Sequence, residues 1–178
     1  MSHTGPDSGR TGVHETAGPG ADPVLLDGVL HLPDRRLPGR RGRRAAADPD
    51  EDAVTLAASA VLALLARRSG ERPAALLLAT VSPPYAAGGT VQPLAELAGL
   101  QDELVALELT ATARDGLAAL RLAVALAREG GPVLVAAAHR ASGGEEEGDG
   151  AAAALIGWGV GAAAVAPGPA RAEEARER

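Results

Sequence analysis

Ala74-Ala75-Leu76-Leu77-Leu78-Ala79-Thr80-Val81 is the stretch on which the fold turns. It is apolar throughout, with no polar alternation. A strand with one wet face alternates, so this one is predicted to be covered on both faces. Ser82-Pro83-Pro84-Tyr85 ends it, because proline has no N–H to give to a sheet. A strand covered on both faces needs helices above and below it, and the flanking sequence supplies them. Upstream, Asp48-Pro49-Asp50-Glu51 has the form of a helix start, with Asp48 as cap, Pro49 at the first helical position and Glu51 at the third. Val54, Ala57, Val61, Leu64 and Leu65 then recur at helical spacing, and Gly70 is the expected stop.

Further outward, residues 24–32 form a short apolar stretch closed by Pro33, a predicted strand, and residues 34–47 read as an Arg-rich loop. On the other side, residues 91–100 predict a short helix and residues 104–109 a strand. Thr112 is placed to cap a helix over residues 113–128, with Asp115 closing a capping box. Leu117, Leu120, Leu122, Val124 and Leu126 make that helix apolar almost all round, which predicts a buried helix. Residues 132–138 are a third apolar strand, and residues 142–148 an acidic, glycine-rich loop. Residues 151–156 and 160–165 suggest two strands turning at Gly157-Trp158-Gly159. Strand and helix therefore alternate and then give way to strands. That order predicts an α/β fold, a mostly parallel mixed sheet of about five strands with helices on its faces. Residues 1–22 and 168–178 are polar or charged and are expected to be tails around a single domain over residues 23–167.

The chain of 178 residues is long enough for one core, but the apolar mass is Ala, Leu and Val, with no Phe, so little area is buried per residue. A net charge of -6 argues against a general nucleic-acid binder. With no cysteine at all, the chain has no disulfide, no thiolate metal site and no thiol nucleophile. No apolar signal segment is read near the start, so the cytoplasm is the expected compartment. Residues 151–166 are apolar, with Gly157 and Gly161 in GxxxG spacing, but they fall short of a membrane span and end at Pro167.

Several segments, in order, resemble the N-terminal half of hydroxymethylglutaryl-CoA synthase and ketoacyl synthase III type condensing enzymes of the thiolase superfamily. Gly28-Val29-Leu30-His31-Leu32-Pro33 is similar to an opening G-V-Y-L-P strand, and Asp50-Glu51-Asp52-Ala53-Val54-Thr55-Leu56-Ala57 to a D-E-D-A-x-T-x-A helix start. Ala79-Thr80-Val81-Ser82-Pro83-Pro84-Tyr85 is similar to A-T-x-T-P-x-Y. Arg114 with Gly116, followed by Ala118-Ala119-Leu120, resembles the helix after the nucleophile, and Gly148-Asp149-Gly150-Ala151-Ala152-Ala153 resembles G-D-G-A-A-A. By this resemblance Ala113 occupies the position of the catalytic cysteine, in the stretch Thr110-Ala111-Thr112-Ala113-Arg114-Asp115-Gly116 where the family has a pattern like G-S-C-R-A-G. A thiol at a helix N-terminus is activated by the dipole and attacks an acyl thioester, whereas a methyl group does neither. The family's second half, source of its catalytic His and Asn, has no counterpart in this sequence.

The candidate site residues follow. Ala113 is a degenerate nucleophile position. Thr112 and Thr110 offer hydroxyls, but a hydroxyl needs an adjacent base and no His is near in sequence, so capping is the simpler role. His139 ends the third apolar strand, where α/β sheets place functional groups, although a structural His fits there too. Arg35, Arg36, Arg40, Arg41, Arg43 and Arg44 form a basic run. Arg40, Arg41, Arg43 and Arg44 can be read as contacts to the phosphate of a CoA or phosphopantetheine arm, or simply as a flexible loop in an arginine-biased chain. Glu145, Glu146 and Glu147 read as a solvated turn, and Asp149 as a turn-ordering residue. No metal site and no resident cofactor are expected.

The resemblance implies a non-catalytic thiolase-fold subunit or scaffold for an active acyl-condensing enzyme in acyl, polyketide or isoprenoid-related metabolism. Its partner would be a thiolase-fold chain, the same or different, with an OB-fold/zinc-ribbon protein or an acyl-carrier protein as further partner classes. Half of a split acyltransferase completed by a second chain, and a module that binds acyl-CoA or a carrier arm, are the alternatives.

Overall fold

The computed structural model describes residues 23–158 apart from residues 41, 86–88, 101–102 and 142–146. The elements run β1 (Val24–His31), β2 (Arg36–Gly39), β3 (Gly42–Ala45), α1 (Ala53–Arg67), β4 (Ala75–Thr80), α2 (Val91–Leu97), β5 (Val105–Leu109), α3 (Asp115–Gly130), β6 (Val133–His139) and β7 (Gly150–Gly157). Five strands form one sheet in the order β1-β7-β6-β4-β5, and β2 and β3 pair as a separate hairpin. β4 is parallel to β5 and β6, while β7 runs antiparallel to both β6 and β1, so four of the five strands share one direction. This is the predicted mostly parallel mixed sheet with helices on its faces.

β4 is the centre of the sheet, and all six of its residues are buried. Leu76 and Leu78 point into the cluster under α1 and α2, with Leu56, Val61, Leu64, Leu94, Leu134 and Leu155. Leu77 and Ala79 point the other way, onto Ala119, Ala123 and Ala127 of α3. The apolar run without alternation is thus explained by helices on both of its faces. Methyl-sized side chains let the helices lie close to the sheet. Ala53, Ala57, Ala60, Ala119, Ala123 and Ala127 are all fully buried.

Several local expectations are corrected. The Arg-rich segment is a hairpin rather than a loop, with Leu37 opposite Arg44 and Gly39 opposite Gly42. Gly42 turns at φ +121, a conformation that favours glycine. The first helix begins at Ala53, capped by Asp52, whose carboxylate accepts from Thr55 N at 2.9 Å while Thr55 Oγ1 accepts from Asp52 N at 2.8 Å. The Asp48 to Glu51 segment closes on itself instead: Glu51 Oε2 accepts from Asp48 N at 2.8 Å, and Glu51 N donates to Asp48 O at 3.0 Å. Two capping patterns overlap in this sequence, and Asp52, extended at φ -131 and ψ -173, separates turn from helix. The helix stops at Arg67 before reaching Gly70. There Arg67 and Arg68 reach Asp27 beside the β1 bulge, at 2.8 Å and 3.5 Å.

The last helix also departs from expectation. α3 starts at Asp115, after a turn in which Asp115 N donates to Thr112 O. It is not buried all round: only its alanine stripe is, while Leu117 is 56% exposed and Leu120 37%. Composition reads these leucines as core, but the sheet reaches only one side of the helix. β7 continues through Gly157, and Trp158 donates its indole N–H to Ala127 O at 3.1 Å. The strand expected over residues 160–165, both predicted tails and Arg41 lie outside the described residues.

Candidate functional site at the N-terminus of the last helix

The parallel strands β4, β5 and β6 all end at the same edge of the sheet, the edge where α/β folds place their ligands. A cavity of about 560 Å³ opens there. Ala79 and Thr80 of β4, Ala137 and His139 of β6, Gly150 to Ala152 of β7 and Leu30 of β1 line it, together with Thr112, Ala113 and Gly116 at the start of α3. Residues singled out in the sequence on separate grounds come together here. Ala113, the position matched to the nucleophile, Thr112 and His139 all line one cavity.

Each polar group at this site has a definite environment. The Thr112 hydroxyl is used by the turn, accepting from Arg114 N at 3.2 Å and donating to Asp115 Oδ1 at 3.1 Å. Asp115 Oδ2 accepts from Thr112 N at 2.6 Å. That backbone hydrogen bond, aided by the Thr112 hydroxyl and opposed by desolvation, holds the Asp115 carboxyl below its ordinary value. Thr112 therefore orders the turn before α3 rather than capping the helix itself, whose N-cap position is Arg114 with no side-chain cap bond. His139 Nε2 lies 3.0 Å from Glu147 Oε2, while its Nδ1 is buried with no partner among the described residues. Thr80 Oγ1 accepts from Ser82 N at 3.1 Å, and Ser82 Oγ accepts from Arg140 N at 2.8 Å, which fixes the ends of β4 and β6 against each other.

Asp149 shapes the β7 wall. Its carboxylate is buried and accepts from Ala47 N at 2.7 Å and from Ala141 N at 2.6 Å, joining the segment after β3 to the segment after β6. Gly150 follows where space is closed: a Cβ there would meet Leu32 Cδ2 at 3.0 Å and His31 O at 3.2 Å. The Gly148-Asp149-Gly150 segment is therefore structural, as the turn-ordering reading of Asp149 expected.

Among the described residues, the arginines of the run do not line the cavity. Their guanidinium groups serve the hairpin: Arg35 Nη1 donates to Ala47 O at 3.2 Å, Arg36 Nη1 to Pro33 O, and Arg44 Nη1 to Glu147 O at 3.1 Å. Arg44 thereby supports the residue facing His139, and its Nε is buried without a partner among the described residues. Arg40 and Arg43 are each engaged in the fold. Glu147 is the site residue that sequence reasoning missed. It sits eight positions after His139 in a glycine-rich loop, and no local pattern marks one glutamate of three. Away from the cavity, Glu108 Oε2 accepts from Thr90 N at 2.7 Å beside α2. No group of three or more metal-binding side chains occurs among the described residues. No described helix is long and apolar enough to cross a membrane.

With the geometry in place, comparison with solved structures assigns the fold. A 3-oxoacyl-(acyl-carrier-protein) synthase III superposes with a TM-score of 0.70 at 20% identity over 80% of this chain and 52% of its own. The curacin-pathway HMG synthase, solved in complex with an acetyl donor-ACP, gives 0.70 at 18% over 77% of this chain and 41% of its own. The synthase III of Pseudomonas aeruginosa PAO1 gives 0.68 at 22% over 78% and 52%. The described domain has the fold of the thiolase-type condensing enzymes, and the chain spans about half the length of the solved structures it matches. No family model and no curated protein matches the sequence.

Proposed function

We propose that the chain is a non-catalytic thiolase-fold subunit that partners an active acyl-condensing enzyme of the ketoacyl synthase or hydroxymethylglutaryl-CoA synthase type. One observation carries the reading. The cavity at the start of α3 keeps its apolar walls, but the wall position matched to the nucleophile is a methyl group, and the chain has no thiol anywhere. The groups that remain do not replace it. The Thr112 hydroxyl is used by its own turn, and no hydrogen bond joins it to His139. An acyl group can occupy such a cavity without being transferred. Carrier-protein recognition by such an assembly accords with the acetyl donor-ACP complex of the curacin-pathway enzyme.

The test is purification of the tagged chain from its native host, with quantification of what co-elutes. A thiolase-fold condensing enzyme in stoichiometric amount is the expected result. A folded chain that elutes alone would overturn the proposal.

A second reading, half of a split acyltransferase, rests on the His139 to Glu147 contact, in which a carboxylate orients an imidazole at the cavity. It predicts acyl-CoA turnover only in the presence of the second chain, lost in His139→Ala.

A further inference from the structure

Alanine, glycine, leucine and valine make up most of the wall of the cavity at the start of α3. Among the described residues that line it, only Glu147 and His139 titrate, and none is an arginine. The two threonine hydroxyls in the wall are already used. Thr80 Oγ1 accepts from Ser82 N, and the Thr112 hydroxyl serves its own turn. The positive end of α3 is answered as well, because the Asp115 carboxylate accepts from Thr112 N at 2.6 Å. Neighbouring arginines bind backbone carbonyls: Arg140 Nη2 donates to Pro49 O at 3.4 Å and Arg44 Nη1 to Glu147 O at 3.1 Å. What remains facing the cavity is one carboxylate on an apolar wall.

That carboxylate has a fixed direction. His139 Nε2 lies 3.0 Å from Glu147 Oε2, and His139 Nδ1 is buried with no partner among the described residues. A hydrogen on Nδ1 would be a buried donor without an acceptor, so the hydrogen belongs on Nε2, where it is donated to Glu147. The backbone beneath is tied to the β2–β3 hairpin by Arg44 and by Asp149 N, which donates to Ala45 O at 3.0 Å. The Glu147 side chain is 67% exposed, so its charge stands at the solvent end of the cavity. An apolar pocket of about 560 Å³ with one oriented anion at its mouth is complementary to a ligand with an alkyl body and a cationic head. A carboxylate head would meet repulsion at the same place.

We infer that the cavity is a binding site for a small amphiphilic amine, whose ammonium group pairs with the Glu147 carboxylate and whose alkyl body lies against the alanine and leucine wall. Glu147 is the residue that sets the preference for charge, and His139 is a positioning residue that acts through it. The inference goes beyond the partner reading above and does not rest on it, since a chain with or without a partner can hold such a ligand.

The test is isothermal titration calorimetry of the full chain with three ligands that share one alkyl chain: octylammonium, octanol and octanoate. An exposed ion pair is worth up to about fivefold in affinity and like-charge repulsion a similar factor. Octylammonium is therefore expected to bind about tenfold more tightly than octanoate, with octanol between them. In 0.5 M NaCl the gap should narrow to about threefold or less, because the screening length falls to about 4 Å. In Glu147→Gln the three ligands should bind nearly alike. His139→Leu should flatten the order in the same way, and His139→Gln, which keeps an N–H donor in place of Nε2, should restore it. The Glu147 side chain is mostly exposed, so Glu147→Gln is expected to keep the parent's circular dichroism; if it does not, the salt dependence of the parent decides. Octanoate that binds as tightly as octylammonium, no binding of any of the three, or an order unchanged in a folded Glu147→Gln overturns the inference. Failure here together with stoichiometric co-elution of a condensing enzyme would refute the amine site and leave the partner reading intact.

Discussion

Ala113→Cys places a single thiol in a chain that has none, so every thiol signal reports one position. Ala113 is exposed in the cavity wall, two residues before the first residue of α3. A free cysteine titrates near 8.5. A negative charge at a helix N-terminus is stabilised by about 0.3–1 kcal/mol at an exposed site and up to about 2 when partly buried. At about 1.36 kcal/mol for each pH unit, this lowers the thiol by about 0.2–0.7, and by about 1.5 at most. The Asp115 carboxylate opposes the shift and the neighbouring Arg114 guanidinium favours it, so the two flanking charges largely offset. The expected value is about 7–8.3. The assay is the pH dependence of the rate with a thiol-reactive disulfide. The inflection is used rather than the rate itself, because a thiolate of lower pKa is also a weaker nucleophile. A thiol that titrates at 8.5 or above would refute the placement of residue 113 at the positive end of α3, and with it the site alignment. Acylation of the variant by an acyl-CoA, absent in the parent, would add that the cavity still admits its ligand.

Asp149→Asn replaces a carboxylate that accepts from two backbone N–H groups with an amide that turns an NH₂ toward one of them. Urea denaturation should show a loss of about 1.5–3 kcal/mol, typical of a charged buried hydrogen bond. Asp52→Ala removes the acceptor for Thr55 N at the start of α1 and should cost about 1 kcal/mol in the same assay. Asp115 titrates lower in the folded chain than its reference of 3.8, so its contribution to stability is complete above that value and is lost as pH falls through the lower folded value. The parent should therefore lose more stability than Asp115→Asn between pH 5 and pH 3. Equal losses would place the Thr112 to Asp115 contact outside the folding equilibrium.

The sequence by itself determined the class of fold and its central strand. Residues 74–81 carry no polar alternation, and only a strand between two helical layers accommodates that pattern. It also marked Ala113, by motifs in register, and His139, by its place at a strand end; the two lie 26 positions apart in the chain and share one cavity. Tertiary structure alone decided the rest. Two overlapping capping patterns competed at residues 48–55, and the winner depends on where the helix must begin to lie on the sheet. The Arg-rich segment read as a loop is a hairpin because residues 36–39 and 42–45 pair with each other. The Glu147 to His139 contact has no local signature. Leu117 and Leu120 belong to a helix that composition marks as buried, yet both are exposed. Burial is a property of what stands opposite a side chain, and a sequence read one element at a time does not contain it.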